Sequence, residues 1–236
     1  MKLIPLKSRL VQSGEDLKSL ILEALDANDE ALESGDILVI ASKIVAYCQG
    51  RLKVVLNKEE IRALIQEESD VAYGEGNMIM TQKLGILVPN AGVDDSNVPA
   101  GQVILWPEKP FESSKSIREQ LQAELSLEKF GVIVCDSALR PLRKGTGGIA
   151  MGWSGFEGIR DERGKEDLFG EAMEYTEVGI ADGLAAGANV LMGEVAESTP
   201  FVIVRGYAAE FTEREASQEE YMMSPEVDLF GSILKV

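Results

Sequence analysis

The run FGVIVCDS, residues 130–137, constrains this chain most. Its apolar residues follow one another without alternation and stop at an acid and a hydroxyl, which is the pattern of a buried strand. ILVIASKIVAY (37–47) begins as a second such strand. Helical segments fall between the strands. Leu17, Leu20, Ile21, Ala24 and Leu25 recur at three- and four-residue spacing and predict a helix over Glu15 to Leu32, closed by Ser34-Gly35-Asp36. Ile61, Leu64 and Ile65 mark a helix over 58–70, and 113–128 reads as another, capped by Ser113, Ser114 or Ser116. Glu177 to Met192 is helical and so rich in Ala and Gly that its backbone should pack closely against a neighbour. RLKVVL (51–56), GQVILWP (101–107) and FVIVRGY (201–207) read as strands, and 77–90 as a hairpin or two short strands. The apolar end, Leu229 to Val236, is expected to dock. This mixture argues for an α/β or α+β protein. No repeat or linker divides the 236 residues; the weakest boundary lies near 107–113.

Charge and composition exclude whole classes of function. Against 23 Lys and Arg stand 40 Asp and Glu, a net charge of −17, which repels nucleic acid. No apolar stretch approaches the roughly 18 residues of a membrane span. MKLIPLKSRL lacks a following apolar segment of about 7–15 residues, so the cytoplasm is the expected location. There is no histidine, which removes Ser-His-Asp and Cys-His catalysis. Cys48 and Cys135 form no CxxC; each lies in a strand-like run and reads as a buried core residue. Any metal would be held by oxygen, which favours Mg²⁺, Mn²⁺ or Ca²⁺.

Three stretches offer such oxygens. VPNAGVDDSNVPAG (88–101) places Asn90, Asp94, Asp95, Ser96 and Asn97 between two apolar runs. It reads either as a turn held by side chain–backbone bonds or as a cation loop. At the end of the 130–137 strand, Asp136 and Ser137 precede Arg140, Arg143, Lys144 and Gly145-Thr146-Gly147-Gly148. Ligands gather at such strand ends, and a glycine backbone can approach phosphate closely. The alternative is a basic surface loop. No GxxxxGK[ST] occurs, so this is not a Walker A loop. Glu194 follows the Ala/Gly-rich helix, whose C-terminus suits a cation, although a solvated acid fits as well. Asp182 reads as solvated or structural. Together Asp94, Asp136, Ser137 and Glu194, with Arg143 and Lys144, form a set suited to phosphoryl transfer.

NAGVDDSN (90–97), CDSALRPLRKGTGGIAMGWSG (135–155), RGKEDLFG (163–170), LMGE (191–194) and PFVIVRG (200–206) occur in the order of a known family. With VIASKIV (39–45), the chain resembles the coenzyme F-420-0:L-glutamate ligases, or γ-glutamyl ligases, from about residue 35 to 207. The resemblance implies an α+β fold: mixed sheets with flanking helices in two intimately associated halves of a single unit, assembled as a homodimer. It implies GTP as co-substrate and Mg²⁺ or Mn²⁺, with a monovalent cation as a further candidate. L-glutamate would be added through an acyl phosphate to an anionic acceptor, F-420-0. Some relatives look like folylpolyglutamate synthase replacements, which implies a reduced folate instead. A non-catalytic nucleotide- and metal-binding relative is a further reading. Asp94, Asp136, Ser137 and Glu194 match the family's metal ligands. Ser42, Lys43 and Asn97 match nucleotide contacts, as does the stretch from Arg9 to Gln12; Arg143, Lys144 and Gly145 are expected at the phosphates. The chain departs from the family at Ser137 (usually Thr), Tyr47 (Lys), Gln49 (Glu) and Leu84 (often His). Loss of a buried, charge-assisted contact at position 47 would cost about 1–3 kcal/mol.

Overall fold

The computed structural model describes residues 1–236 except 75, 77, 225 and 232–236. In chain order the elements begin with β1 (Lys2–Leu6), α1 (Leu17–Ala27), β2 (Asp36–Ala41), α2 (Ser42–Cys48), β3 (Leu52–Val54) and α3 (Lys58–Glu68). Next come β4 (Val71–Tyr73), β5 (Met80–Lys83), β6 (Ile86–Pro89), a 3₁₀ turn (Asn90–Gly92), β7 (Gln102–Ile104) and α4 (Pro110–Leu125). The chain continues through β8 (Phe130–Leu139), β9 (Thr146–Ser154), β10 (Ile159–Asp161), β11 (Glu177–Gly179), α5 (Ile180–Met192), β12 (Phe201–Arg205) and α6 (Gln218–Tyr221). The fold is α+β, as expected.

A mixed five-stranded sheet, ordered β1-β12-β2-β8-β9, forms the centre. Only β2 and β8 are parallel neighbours; the other pairs are antiparallel. Their unbroken apolar sequences follow from burial on both faces. Successive side chains alternate, so Leu38, Ile40, Val132 and Val134 enter one core with α1 and α4, whereas Ile37, Val39 and Ile133 enter another with α5. β5 and β6 form the expected hairpin, extended by β4, and β3 pairs with β7.

Several expected boundaries move for local reasons. α1 is capped by Asp16, which accepts from the Ser19 amide at 2.8 Å, and it ends at Ala27 rather than Leu32. There the Asn28 side chain donates to the Ala24 carbonyl at 2.7 Å, and Asp29 adopts φ 53°. α4 begins at Pro110, after Lys109 in the left-handed region, so Ser113, Ser114 and Ser116 lie inside the helix and none caps it. Residues 177–179 are not helical because they pair with β10. Cys48 ends a helix, not a strand, and is half-buried; Cys135 is buried in β8 as expected. Leu229 and Phe230 are exposed rather than docked, and 232–236 lie outside the described residues. The close contact expected of the Ala/Gly-rich helix is present: α5 lies against β9 at Gly148, where a Cβ would come within 2.4 Å of the Ala185 carbonyl oxygen. Among the described residues, no helix is long and apolar enough to cross a membrane.

Candidate functional site

The parallel pair β2 and β8 sets the site. Ala41 pairs with Cys135, so the next residues, Ser42 and Asp136, emerge side by side where the parallel pairing ends, at the carboxyl end of β2. β2 turns directly into α2, which places Ser42 and Lys43 in that helix's first turn. β8 shifts register against β9 between Val134 and Cys135, and such a bulge re-aims the side chains that follow.

The loop from 88 to 101 reaches this edge through β7. The Asp94 amide donates to the Ile104 carbonyl at 3.0 Å, and the Ile104 amide returns a bond to Asp94 at 2.8 Å. Asp94 Oδ1 accepts from the Ser96 amide at 2.7 Å, a side-chain turn of the kind Asp favours. Its Oδ2 accepts from Lys43 Nζ at 2.7 Å and from Ser96 Oγ at 2.8 Å. Burial raises the Asp94 pKa, but Lys43 and the Ser96 amide outweigh it, and the carboxyl sits below its usual value. The turn reading of this loop therefore holds, and its carboxylate is engaged by the Lys43 ammonium. Asn97 adopts φ 53°, and its carbonyl accepts from the Tyr47 hydroxyl at 3.2 Å.

Asp136 is held differently. Burial pushes its carboxyl up to about 6, against the Ser137 amide, the Trp106 indole N–H, the Ser42 hydroxyl and the Lys43 charge. α5 supplies the fourth segment. It ends at Met192, Gly193 turns the chain at φ 73°, and Glu194 follows. Glu194 accepts from Ser137 Oγ, Thr146 Oγ1 and Asn189 Nδ2, each at 3.3 Å.

These segments enclose a cleft of about 340 Å³ whose lining includes Arg9, Ser42, Lys43, Tyr47, Asp94, Asn97, Asp136, Ser137 and Glu194. Arg143, Lys144 and Gly145 lie outside that lining, exposed in the turn between β8 and β9. Two further residues at the cleft carry no signal in the sequence pattern. Glu197, three positions after Glu194, lines the cleft and accepts from the Val195 amide at 2.8 Å. Trp106 reaches Asp136 from behind, and nothing in GQVILWP distinguishes it from a core tryptophan. Gln49 serves structure: it accepts from the Glu108 amide at 2.8 Å and donates to the Glu108 carbonyl at 3.0 Å, which fixes the chain entering α4. Asp182 is also structural, accepting from the Ala150 amide at 2.8 Å. Leu84, in the β5–β6 turn, packs against the core shared with α1.

The charge balance limits what the cleft can do. Arg9 is engaged by Glu15 and Glu23, and Lys43 by Asp94. Among the described residues, no cation pairs with Asp136, Glu194 or Glu197. Burial raises both thiols, Cys48 to about 11 with Glu15 and Asp16 adding to it, so neither is a thiolate nucleophile near neutral pH. Among the described residues, no three His, Cys, Asp or Glu side chains converge closely enough to hold a metal ion by themselves. The donors are hard oxygens on three separate segments. They fit an oxygen-seeking divalent ion that keeps water or substrate oxygens among its ligands.

Comparison with known proteins gives the class first: the curated relatives are ligases. The chain belongs to the F420-0:Gamma-glutamyl ligase family, whose model matches residues 5–206. It is 33% identical to the coenzyme F420:L-glutamate ligase of Methanothermobacter thermautotrophicus, over 94% of each chain. It is 35% identical to the ligase of that name from Methanopyrus kandleri, over 96% of this chain and 95% of the relative. It is 40% identical to the Methanocaldococcus jannaschii ligase, over 74% of this chain and 77% of the relative.

Proposed function

We propose that this chain joins L-glutamate to the terminal carboxylate of F420-0, with GTP as phosphoryl donor and Mg²⁺ or Mn²⁺ as metal. The observation that carries this reading is the meeting of Asp94, Asp136, Ser137 and Glu194 with Lys43 in one cleft. The names of the relatives supply the acceptor. An acidic cleft whose basic side chains are already engaged would repel a nucleotide, so the reading requires added positive charge. Asp94, Asp136, the Ser137 hydroxyl and Glu194 would hold the ion, which supplies neutralisation of phosphate oxygens when bound.

The chain's own residues do the rest. Lys43, the cation on Asp94, would contact phosphate where Asp94 serves as one of the residues that would hold the ion. Ser42 and Asn97 position the nucleotide beside it. An acceptor carboxylate oxygen attacks the γ-phosphorus in line and GDP leaves, forming an acyl phosphate. The glutamate amine then attacks the acyl carbon, phosphate departs, the amine loses a proton, and an amide remains. Arg143 and Lys144 would reach the phosphates only by movement of the β8–β9 turn.

The test is incubation with GTP, Mn²⁺ or Mg²⁺, L-glutamate and F420-0, with tetrahydrofolate in a parallel arm, followed by mass analysis of the acceptor. A glutamate increment on F420-0 with equimolar phosphate is expected. An increment on the folate alone would reassign the acceptor. GTP binding with no increment on either would make the chain a binding protein.

A further inference from the structure

We propose that Trp106 is a positioning residue that locks Asp136 and the Asp94 loop into one arrangement; this rests on the metal-binding reading above. Trp106 is buried and follows β7 by two residues, away from the cleft lining. Three contacts make it a bridge. Its indole N–H donates to Asp136 Oδ2. Its ring packs against Gly92, where a Cβ would approach Cδ1 to 2.4 Å, so only glycine at 92 allows the approach. β7, which ends two residues before Trp106, holds Asp94 through the reciprocal backbone bonds at Ile104. Arg51 Nε donates to the Trp106 carbonyl at 3.1 Å and fixes the backbone in turn.

This geometry does two things. The indole engages one oxygen of Asp136, Oδ2. The ring also ties the two carboxylates to a single rigid body, although they are 42 residues apart in sequence. Without the N–H, Asp136 keeps the Ser137 amide and the Ser42 hydroxyl but loses the one hydrogen bond that ties its carboxylate to Trp106. The expected weakening of metal binding is about 10- to 100-fold.

The experiment titrates Mn²⁺ alone by water-proton relaxation into wild type, Trp106→Phe, Asp136→Asn and the double variant, with the Tm of each recorded. Phe keeps an aromatic ring at Gly92 and removes the donor together with part of the indole, a packing loss that the Tm reads separately. Trp106→Phe should bind Mn²⁺ about 10- to 100-fold more weakly, and adding it to Asp136→Asn should cost nothing further, because the two act through one contact. In turnover, the apparent KM for metal should rise with the KM for L-glutamate unchanged. The Trp106 indole N–H resonance should shift on adding Mg²⁺. That of Trp153, which has no hydrogen-bond partner among the described residues, should not. Wild-type Mn²⁺ affinity in Trp106→Phe, or a loss that adds fully to that of Asp136→Asn, would overturn the positioning role while leaving the metal site standing. Failure of wild type to bind Mn²⁺ would remove the metal reading and this role together.

Discussion

Replacing Gly148 with alanine tests whether the packing of α5 sets the site. Gly148 pairs with Ser137 across the β8–β9 hairpin and faces the α5 backbone. A Cβ there would sit 2.4 Å from the Ala185 oxygen and 2.8 Å from Asn189 Cβ, where ordinary contact begins at 3.4 Å. The helix would have to retreat by about 1 Å, since backbone atoms cannot rotate away. Overpacking of this kind costs about 1–3 kcal/mol. Loss of glycine's freedom in the unfolded chain returns about 0.4–1 kcal/mol, so the strain wins. A net loss of roughly 1–2 kcal/mol should lower Tm by about 2–8 °C in a chain of this size. Because Asn189 and the end of α5 carry Glu194, the same retreat misplaces a proposed ligand, and turnover should fall by about 100-fold. Calorimetry and the mass assay read both effects. Gly183→Ala is the control: it sits in the same helix, where a Cβ meets nothing within 4 Å, and should stabilise by up to about 1 kcal/mol. Wild-type Tm and turnover in Gly148→Ala would refute the argument that this contact holds the site in place.

Other perturbations separate chemistry from scaffold. Asp94→Asn should abolish metal-dependent turnover with a near-native circular dichroism spectrum; retained activity would remove Asp94 from the metal set. Arg143→Ala should weaken GTP binding if the β8–β9 turn closes over the phosphates, and an unchanged Kd by calorimetry would leave that turn a surface feature. Glu68 is a scaffold residue. Burial pushes its pKa up, but Lys83 and Arg51 more than reverse this, leaving it below the ordinary glutamate value. Its contribution is therefore complete above the unfolded-state pKa and is lost as pH falls through the lower folded value. Glu68→Gln takes the carboxylate from the mostly buried Lys83, while Arg51 keeps Glu108, and should cost about 3 kcal/mol near neutral pH. In denaturant titrations the gap from wild type should narrow at acid pH; a constant gap would contradict the ion-pair assignment.

The elements were legible wherever local pattern decides them. The apolar runs at 37–41 and 130–135, the three- and four-residue spacing in α1 and α3, and the Gly/Ala content of α5 all act over a few residues, and each produced the expected element. Boundaries were less legible. Asn28 ended α1 by taking a carbonyl, and Pro110 started α4 before any of the serines. The chemical types of the site were legible too: with no histidine and two isolated cysteines, any polar chemistry had to rest on oxygen and on basic side chains.

What the chain pattern left open was which of those oxygens meet. Asp94, Asp136 and Glu194 come together only because β2 and β8 are parallel, β7 carries the 88–101 loop to their ends, and α5 stops at that same edge. The basic run at 140–144 was the most conspicuous cation cluster in the sequence, yet the β8–β9 hairpin carries it outward. The cation that reaches Asp94 is Lys43, a lone lysine in an otherwise apolar stretch. The same limit hid Trp106, whose ring reads as core and whose single N–H gains meaning only from the carboxylate it meets. Propensity and periodicity are properties of neighbours along the chain. Charge pairing, burial and the aim of a hydrogen bond depend on neighbours in space, and these were fixed when the strands paired.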